Sequence, residues 1–188
     1  MYKKFLLLVF LMCLQIPSAK ALSAQSSILI DAHTGRVLLE NNAYERRPMA
    51  STTKIMTAIV ALEKGDLDSI VIVSNNAARM EGSSMYLKGG EKIKLIDLLY
   101  GLMLSSGNDA ATAIAEHIAG NVESFANLMN EKAKELGLQN TSFTNPHGLD
   151  NENHYTTAYD LAQIARYALS NEKFSEICGT RIKTIGND

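Results

Sequence analysis

The sequence predicts an α+β fold rather than an alternating βαβ one. Three observations carry this. Two short apolar runs near the N-terminus flank a turn signature. A block of helix-patterned segments fills the middle of the chain. Apart from a short strand within that block, strand-like sequence resumes at the end, in "TRIKTIGND". The 188 residues contain no internal repeat and no low-complexity linker, so one domain is expected.

The first segment stands apart from that fold. In "MYKKFLLLVFLMCLQIPSAKA", Lys3 and Lys4 precede an unbroken apolar run from Phe5 to Leu14, and Ala19-Lys20-Ala21 is a small-x-small cleavage signal. This is the pattern of a secretory signal peptide, cut after Ala21 or, alternatively, after Ala24. The expected organisation is therefore a signal peptide over 1–21 and a folded unit over 22–188. The apolar run is short for a bilayer span, which takes about 20 residues. All 20 acidic residues follow position 21, whereas Lys3, Lys4 and Lys20 precede the cut. The exported part then holds 15 basic against 20 acidic side chains, a net charge of −5. A mildly acidic domain has no electrostatic footprint for nucleic acid. Cys178 is the one cysteine after the leader, so no internal disulfide is expected. His33, His117, His147 and His154 are scattered without zinc-site spacing, so neither metal nor cofactor is expected.

The elements follow in order. Ser26–Asp31 and Arg36–Glu40 read as strands around the turn Ala32-His33-Thr34-Gly35. "NAYERRPMA" is a loop. From Thr52 to Lys64, the residues Ile55, Met56, Ile59, Val60 and Leu62 suit a helix buried on most sides, and Gly65 stops it. Residues 69–74 form a short strand, and the Gly-rich stretch after them is an irregular excursion. Residues 94–105 are largely apolar all round, which marks a central helix. Asn108-Asp109 opens a small-residue helix that ends at Gly120. "VESFANLMNEKAKELG" is amphipathic, with Phe125, Leu128, Met129, Ala133 and Leu136 on one side. "NTSFTNPHGLD" is turn-rich, and His147 next to Gly148 fits a turn. A last helix starts from Thr156 or Thr157, and a strand begins near Thr180.

Chemistry enters with "PMASTTKIMTA", residues 48–58. Ser51 stands three residues before Lys54 at the head of a helix. Serine is a favoured N-cap, and that reading stays open. The alternative is a nucleophile with its base. Side chains at i and i+3 share a helix face, so Oγ and Nζ can meet. A desolvated lysine has a lowered pKa and can accept a proton, and the positive end of a helix dipole also favours the neutral amine. A serine hydroxyl needs such a base to react at neutral pH. A second stretch, "LMLSSGNDAA" over 102–111, puts Ser106-Gly107-Asn108 in a tight break between two helices. Either these residues cap the next helix, or the Ser106 hydroxyl joins a proton relay and the Asn108 amide holds a substrate carbonyl.

The two motifs together resemble the signature of serine penicillin-binding proteins and β-lactamases, S-x-x-K with a later S-x-N. The blocks "ASTTKIMTAIVALE", "SNNAARMEGSSMYLKGGEKI", "DLLYGLMLSSGNDAATAIAEHIAG", "FANLMNEKAKELGLQNTSFTNPHGLD" and "TAYDLAQIARYAL" are similar, in order, to D-alanyl-D-alanine carboxypeptidases, the low-molecular-mass penicillin-binding proteins. The resemblance runs from about Ser26 to the end of the chain. It implies a β-lactamase/DD-peptidase-like fold, a helical block packed on an antiparallel sheet. It implies that Ser51 attacks the carbonyl between two terminal D-alanines of a peptidoglycan stem peptide and forms an acyl-enzyme. Lys54 would be the base, Ser106 would relay a proton to the leaving nitrogen, and Asn108 would orient the substrate. β-Lactam antibiotics would acylate the same serine. The expected location is extracytoplasmic, at the cell wall, the outer face of the membrane or the periplasm. Peripheral membrane association is the attachment left open.

One family feature is expected outside this sequence. Lys-Thr-Gly on a facing strand is the third motif, but here Lys183-Thr184 is followed by Ile185. A β-branched side chain does not suit a strand that must approach substrate closely. The motif is therefore expected beyond Asp188, with an incomplete sheet in the 188 residues and impaired folding and catalysis. A non-catalytic, penicillin-binding remnant is the alternative function. A β-lactamase is a further rival, for which Glu135-Leu136-Gly137-Leu138-Gln139 is the nearest match to a water-activating loop. A Ser/His/Asp hydrolase built on His147 and Asp150 lacks a G-x-S-x-G elbow.

Overall fold

The structure is a computed structural model and describes residues 23–186. The leader expected over 1–21 lies outside the described residues. Among those described, no helix is long and apolar enough to cross a membrane.

The chain opens with an antiparallel pair, β1 (Ser27–Ile30) and β2 (Val37–Asn41), in which Ile28 faces Glu40 and Leu29 faces Leu39. The pairing shifts between Leu29 and Ile30. Asp31 shapes the turn: its Oδ1 accepts from both the backbone N–H and the hydroxyl of Thr34, each at 2.7 Å. A second pair, β3 (Ile70–Ile72) and β4 (Lys92–Lys94), forms a separate two-stranded sheet with Val71 opposite Ile93. Both strands bury their middle residue against the helices and expose the flanking ones.

Among the described residues six α-helices make the body: α1 (Thr53–Lys64), α2 (Leu95–Leu104), α3 (Asn108–Ala119), α4 (Val122–Glu135), α5 (Ala158–Leu169) and α6 (Glu172–Gly179). Met56, Leu95, Leu98, Leu99, Leu102, Ile114, Phe125 and Met129 are among the large side chains fully removed from water at their centre. Each such side chain contributes roughly 1.5–3 kcal/mol by its burial. The small residues Ala110, Ala111, Ala113 and Ala115 let α3 pass close to α1 and α2. Side-chain caps start three of the helices. Asn121, Thr157 and Asn171 accept from the backbone N–H of Ser124, Asp160 and Phe174. α3 ends at Gly120 in the left-handed conformation, φ 80°.

The α+β class and the central α2, which buries Leu95, Leu98, Leu99, Tyr100 and Leu102, match the sequence reading. Three details differ. Strand β4 was not anticipated, because Lys92-Ile93-Lys94 offers a single apolar residue. Helix α6 was also not anticipated; it is short and buries only Phe174 and Ile177. The strand expected near Thr180 does not form: residues 181–184 are exposed, and no strand lies beside them. A strand needs a paired neighbour to satisfy its backbone. The same lack of neighbours shows at β1 and β2, which form a sheet of two and leave Leu29, Leu38 and Leu39 more than half exposed.

Candidate active site

Ser51 lies in a single 3₁₀ turn, Ala50–Thr52, that leads into α1. Ala50 takes a positive φ of 45°, which is uncommon for a residue with a side chain. The helix has no side-chain cap: its N-cap position is Thr52, which makes no capping hydrogen bond. The capping reading of Ser51 therefore does not describe this turn. Its hydroxyl is instead 3.3 Å from Lys54 Nζ.

Lys54 is only 2% exposed, in the first turn of α1. Its amine has three neighbours, Ser51 Oγ at 3.3 Å, Asn108 Oδ1 at 2.8 Å and the His147 carbonyl at 2.7 Å. None is a carboxylate. The contrast is Lys132, which lies between Glu63 at 2.7 Å and Glu135 at 2.6 Å. A cation without a counter-ion, taken out of water, is disfavoured relative to its neutral form. Burial accordingly lowers the Lys54 pKa from 10.5 to about 8.

The donor and acceptor inventory gives that neutral amine a direction. It has two N–H groups and one lone pair. The Asn108 and His147 oxygens can only accept, so they take the two N–H groups at the shorter distances. The lone pair is left for the one neighbour that can donate, the Ser51 hydroxyl.

Asn108 holds its orientation through the loop after β3. Its Nδ2 donates to the Glu81 carbonyl at 2.7 Å, and its backbone N–H donates to the Ser83 carbonyl at 2.7 Å. With Nδ2 committed to Glu81, Oδ1 faces Lys54. Gly82 permits the approach, since a β-carbon there would stand 2.7 Å from Asn108 Nδ2. Ser106 occupies the break between α2 and α3 with φ 54°, a strained value for serine. Among the described residues, no hydrogen bond joins its hydroxyl to Ser51 or Lys54. The sequence-expected set is thus brought together as Ser51, Lys54 and Asn108, with Ser106 two residues from Asn108 but outside that network.

Sequence reasoning missed the wall that closes the site behind Lys54. The turn over 145–149 supplies the His147 carbonyl, and Asn145 Oδ1 accepts from the backbone N–H of His147 and Gly148, at 3.2 and 2.7 Å. Thr57 Oγ1 donates to the Pro146 carbonyl at 2.7 Å. His154 sits beneath: its Nδ1 accepts from Thr144 N–H at 3.0 Å, so its Nε2–H donates to Thr53 Oγ1 at 2.7 Å. Burial first, then the nearby Lys54 and His154, lower the His147 pKa to about 4; burial also lowers that of His154. Both imidazoles are neutral near pH 7 and add no positive charge beside Lys54. The turn signature "NPHG" was the one signal available in the sequence, and it does not reveal the use of a backbone carbonyl. Among the described residues, no group of three His, Cys, Asp or Glu is placed to hold a metal.

A serine hydroxyl beside a desolvated lysine with no counter-ion, on an α+β frame, is the arrangement of the serine–lysine class of acyl-transfer sites. Comparison with known proteins is specific within that class. A family model described as D-alanyl-D-alanine carboxypeptidase, peptidase S11, matches residues 14–187. The chain belongs to that family. The D-alanyl-D-alanine carboxypeptidase DacF of Bacillus subtilis (strain 168) is 45% identical over 168 residues, which is 87% of this chain and 43% of that protein. DacC of Escherichia coli (strain K12) is 40% identical over 179 residues, 85% of this chain and 45% of that protein. A solved D-alanyl-D-alanine carboxypeptidase structure from Mycobacterium tuberculosis H37Rv superposes with a TM-score of 0.84 at 35% identity, covering 88% of this chain and 63% of that one. The chain thus spans less than half the length of these curated relatives.

Proposed function

We propose that the chain carries the nucleophile and base of a serine D-alanyl-D-alanine carboxypeptidase that removes the terminal D-alanine from peptidoglycan stem peptides. The observation that carries the reading is the Lys54 amine, buried without a counter-ion among the described residues and 3.3 Å from the Ser51 hydroxyl. In this mechanism Lys54 takes the hydroxyl proton as Ser51 Oγ attacks the carbonyl between the two D-alanines. The C–N bond breaks, the leaving nitrogen takes a proton by way of Ser106, and D-alanine departs. Water then cleaves the ester between Ser51 and the shortened peptide. Asn108 orients the substrate as well as Lys54. β-Lactams acylate Ser51 by the same steps, and export to the extracytoplasmic side agrees with the polymer acted on.

The test uses a fluorescent penicillin and a synthetic peptide ending in D-Ala-D-Ala. Covalent labelling that disappears in Ser51→Ala, together with D-alanine release, supports the reading. Absence of labelling in the unsubstituted chain sinks it. Rapid turnover of the β-lactam with no lasting adduct points instead to a lactamase.

The placement of Lys183 favours a second reading, that of penicillin-binding without turnover. The Lys183 amine lies over the Tyr100 ring, 4.8 Å from its centre, and Lys183 and Thr184 are exposed. No lysine-bearing strand faces Ser51 among the described residues. A facing strand would complete the oxyanion contacts, and loss of one such donor costs roughly 10²–10³ in rate. Labelling without D-alanine release distinguishes this reading from the first.

A further inference from the structure

We infer that Asp109 is a positioning residue for the Lys54 amine: its carboxylate clamps the loop over 84–87, and through Glu81 and Asn108 that loop holds the amine in place. The inference rests on the proposed reading of Lys54 as the base.

Asp109 is 1% exposed and forms no ion pair among the described residues. A buried carboxylate needs its lone pairs satisfied by donors. Here the donors come almost wholly from one loop. Oδ2 accepts from the Ser84 hydroxyl at 2.6 Å and from Leu87 N–H at 3.1 Å; Met85 N–H reaches both oxygens, at 3.0 and 3.1 Å. Only Ala110 N–H, at 2.9 Å, lies outside it. Hydrogen bonds to a charged acceptor are roughly twice as strong as neutral ones.

Leu87 is buried in the core and Met85 packs against it, but the rest of the loop has few contacts of its own. Glu81, Gly82, Ser83 and Tyr86 are exposed, and Tyr86 takes a positive φ of 64°. Its upstream half is gripped by Asn108, whose amide and backbone N–H reach the Glu81 and Ser83 carbonyls. Its downstream half is gripped by the next residue, Asp109. Two consecutive residues at the start of α3 therefore hold both halves of the excursion by hydrogen bonds, beside the apolar anchors Met85 and Leu87. Releasing the downstream half frees the Glu81 carbonyl to move, and the Asn108 amide loses the contact that keeps Oδ1 towards Lys54. The other titratable groups around the amine are His147 and His154, on the segment packed against α1. Both are held neutral by burial, with His147 titrating near 4, well below Lys54.

The experiment is a pH titration of the Lys54 side-chain nitrogen by NMR in the unsubstituted chain, Asp109→Asn, Asn108→Ala and the double variant. Asp109→Asn keeps the size of the side chain but points an N–H₂ at donors. The expected result is a displaced midpoint, by about half a pH unit or more, in the same direction as Asn108→Ala. The double variant is expected to shift no further than Asn108→Ala alone, because both act through one amide. An unmoved midpoint in Asp109→Asn, or additive shifts in the double variant, overturns the inference. Should Asp109→Asn not fold, Ser84→Ala removes one donor from the clamp, and a smaller shift in the same direction is expected; no shift overturns the inference. Ser51 acylation is followed in parallel and is expected to slow by about tenfold to a hundredfold in Asp109→Asn. Failure of the unsubstituted chain to acylate would count against the proposed function alone, since the Lys54 titration is read without it.

Discussion

Gly148 lies directly against the carbonyl of Ala50: a β-carbon at position 148 would stand 1.9 Å from that oxygen, and Gly148 itself has φ +90°. This contact fits the turn over 145–149 against the turn that presents Ser51. Both sides are backbone, so neither can rotate away. Gly148→Ala must therefore push the two turns apart and carry the His147 carbonyl away from Lys54. Strain at such a residue costs about 1–3 kcal/mol, and the displaced contacts add to it. Urea unfolding is expected to show a loss of roughly 2–4 kcal/mol, with slowed acylation of Ser51 by penicillin. A variant as stable and as fast as the unsubstituted chain would show that the turns are not coupled.

The depressed pKa of Lys54 sets a pH profile. The neutral amine is the active form, and its pKa is about 8. Below that value the neutral fraction falls about tenfold per pH unit, and above it the fraction saturates. The acylation rate of Ser51 is therefore expected to rise between pH 6 and 8 and level off beyond. Stopped-flow labelling with a fluorescent penicillin measures this. A rate that is flat from pH 6 to 9 would remove Lys54 from the role of base.

His147 and His154 make the same wall sensitive to acid. The His147 pKa is about 4 in the folded chain, against 6.5 when unfolded. Between these values the unfolded chain binds more protons, so stability falls as pH drops from 6.5 to 4. The full difference is on the order of 3 kcal/mol for His147, and His154 acts in the same direction. Unfolding free energies at pH 7, 5 and 4 check the loss, and the ring-proton titration of His147 locates its midpoint. A midpoint near 6.5 would contradict its burial.

How far the sequence revealed this site differs from residue to residue. The Ser51 and Lys54 spacing was legible because it lies within one helical turn, where i and i+3 meet by geometry alone. The partner at Asn108 was legible only as a motif, because nothing local ties residue 54 to residue 108. The His147 carbonyl was not legible at all. It lies 93 residues from Lys54, and every residue type carries the same group. The sequence left Ser106 open between a turn residue and a relay; among the described residues its hydroxyl makes no hydrogen bond to Ser51 or Lys54, so the relay rests on the family resemblance. Among the elements, the buried helices were read from their apolar periodicity. Strand β4 was missed, because three residues give no periodicity and its existence depends on pairing with Ile70–Ile72.

Lys54→Met separates the chemical role of the lysine from its cost to the fold. Methionine fills similar space without a charge or an N–H, so acylation of Ser51 is expected to be lost. Its effect on stability depends on pH in a defined window. The Lys54 pKa is lower in the folded chain, about 8, than its ordinary value of 10.5. Between those values the unfolded chain binds the extra proton, so the Lys54 contribution to stability rises with pH across that window. Below about pH 8 both states are protonated, and the charge stays buried at a constant cost. The stability of the unsubstituted chain relative to Lys54→Met is therefore expected to improve by on the order of 3 kcal/mol from pH 8 to 10.5. Taking the difference between the two chains cancels the other lysines and tyrosines that titrate there. Urea unfolding of both at matched pH values measures it. A difference that stays constant across the window would mean that Lys54 titrates as an ordinary exposed amine, and the base proposed for Ser51 would then lack its physical ground.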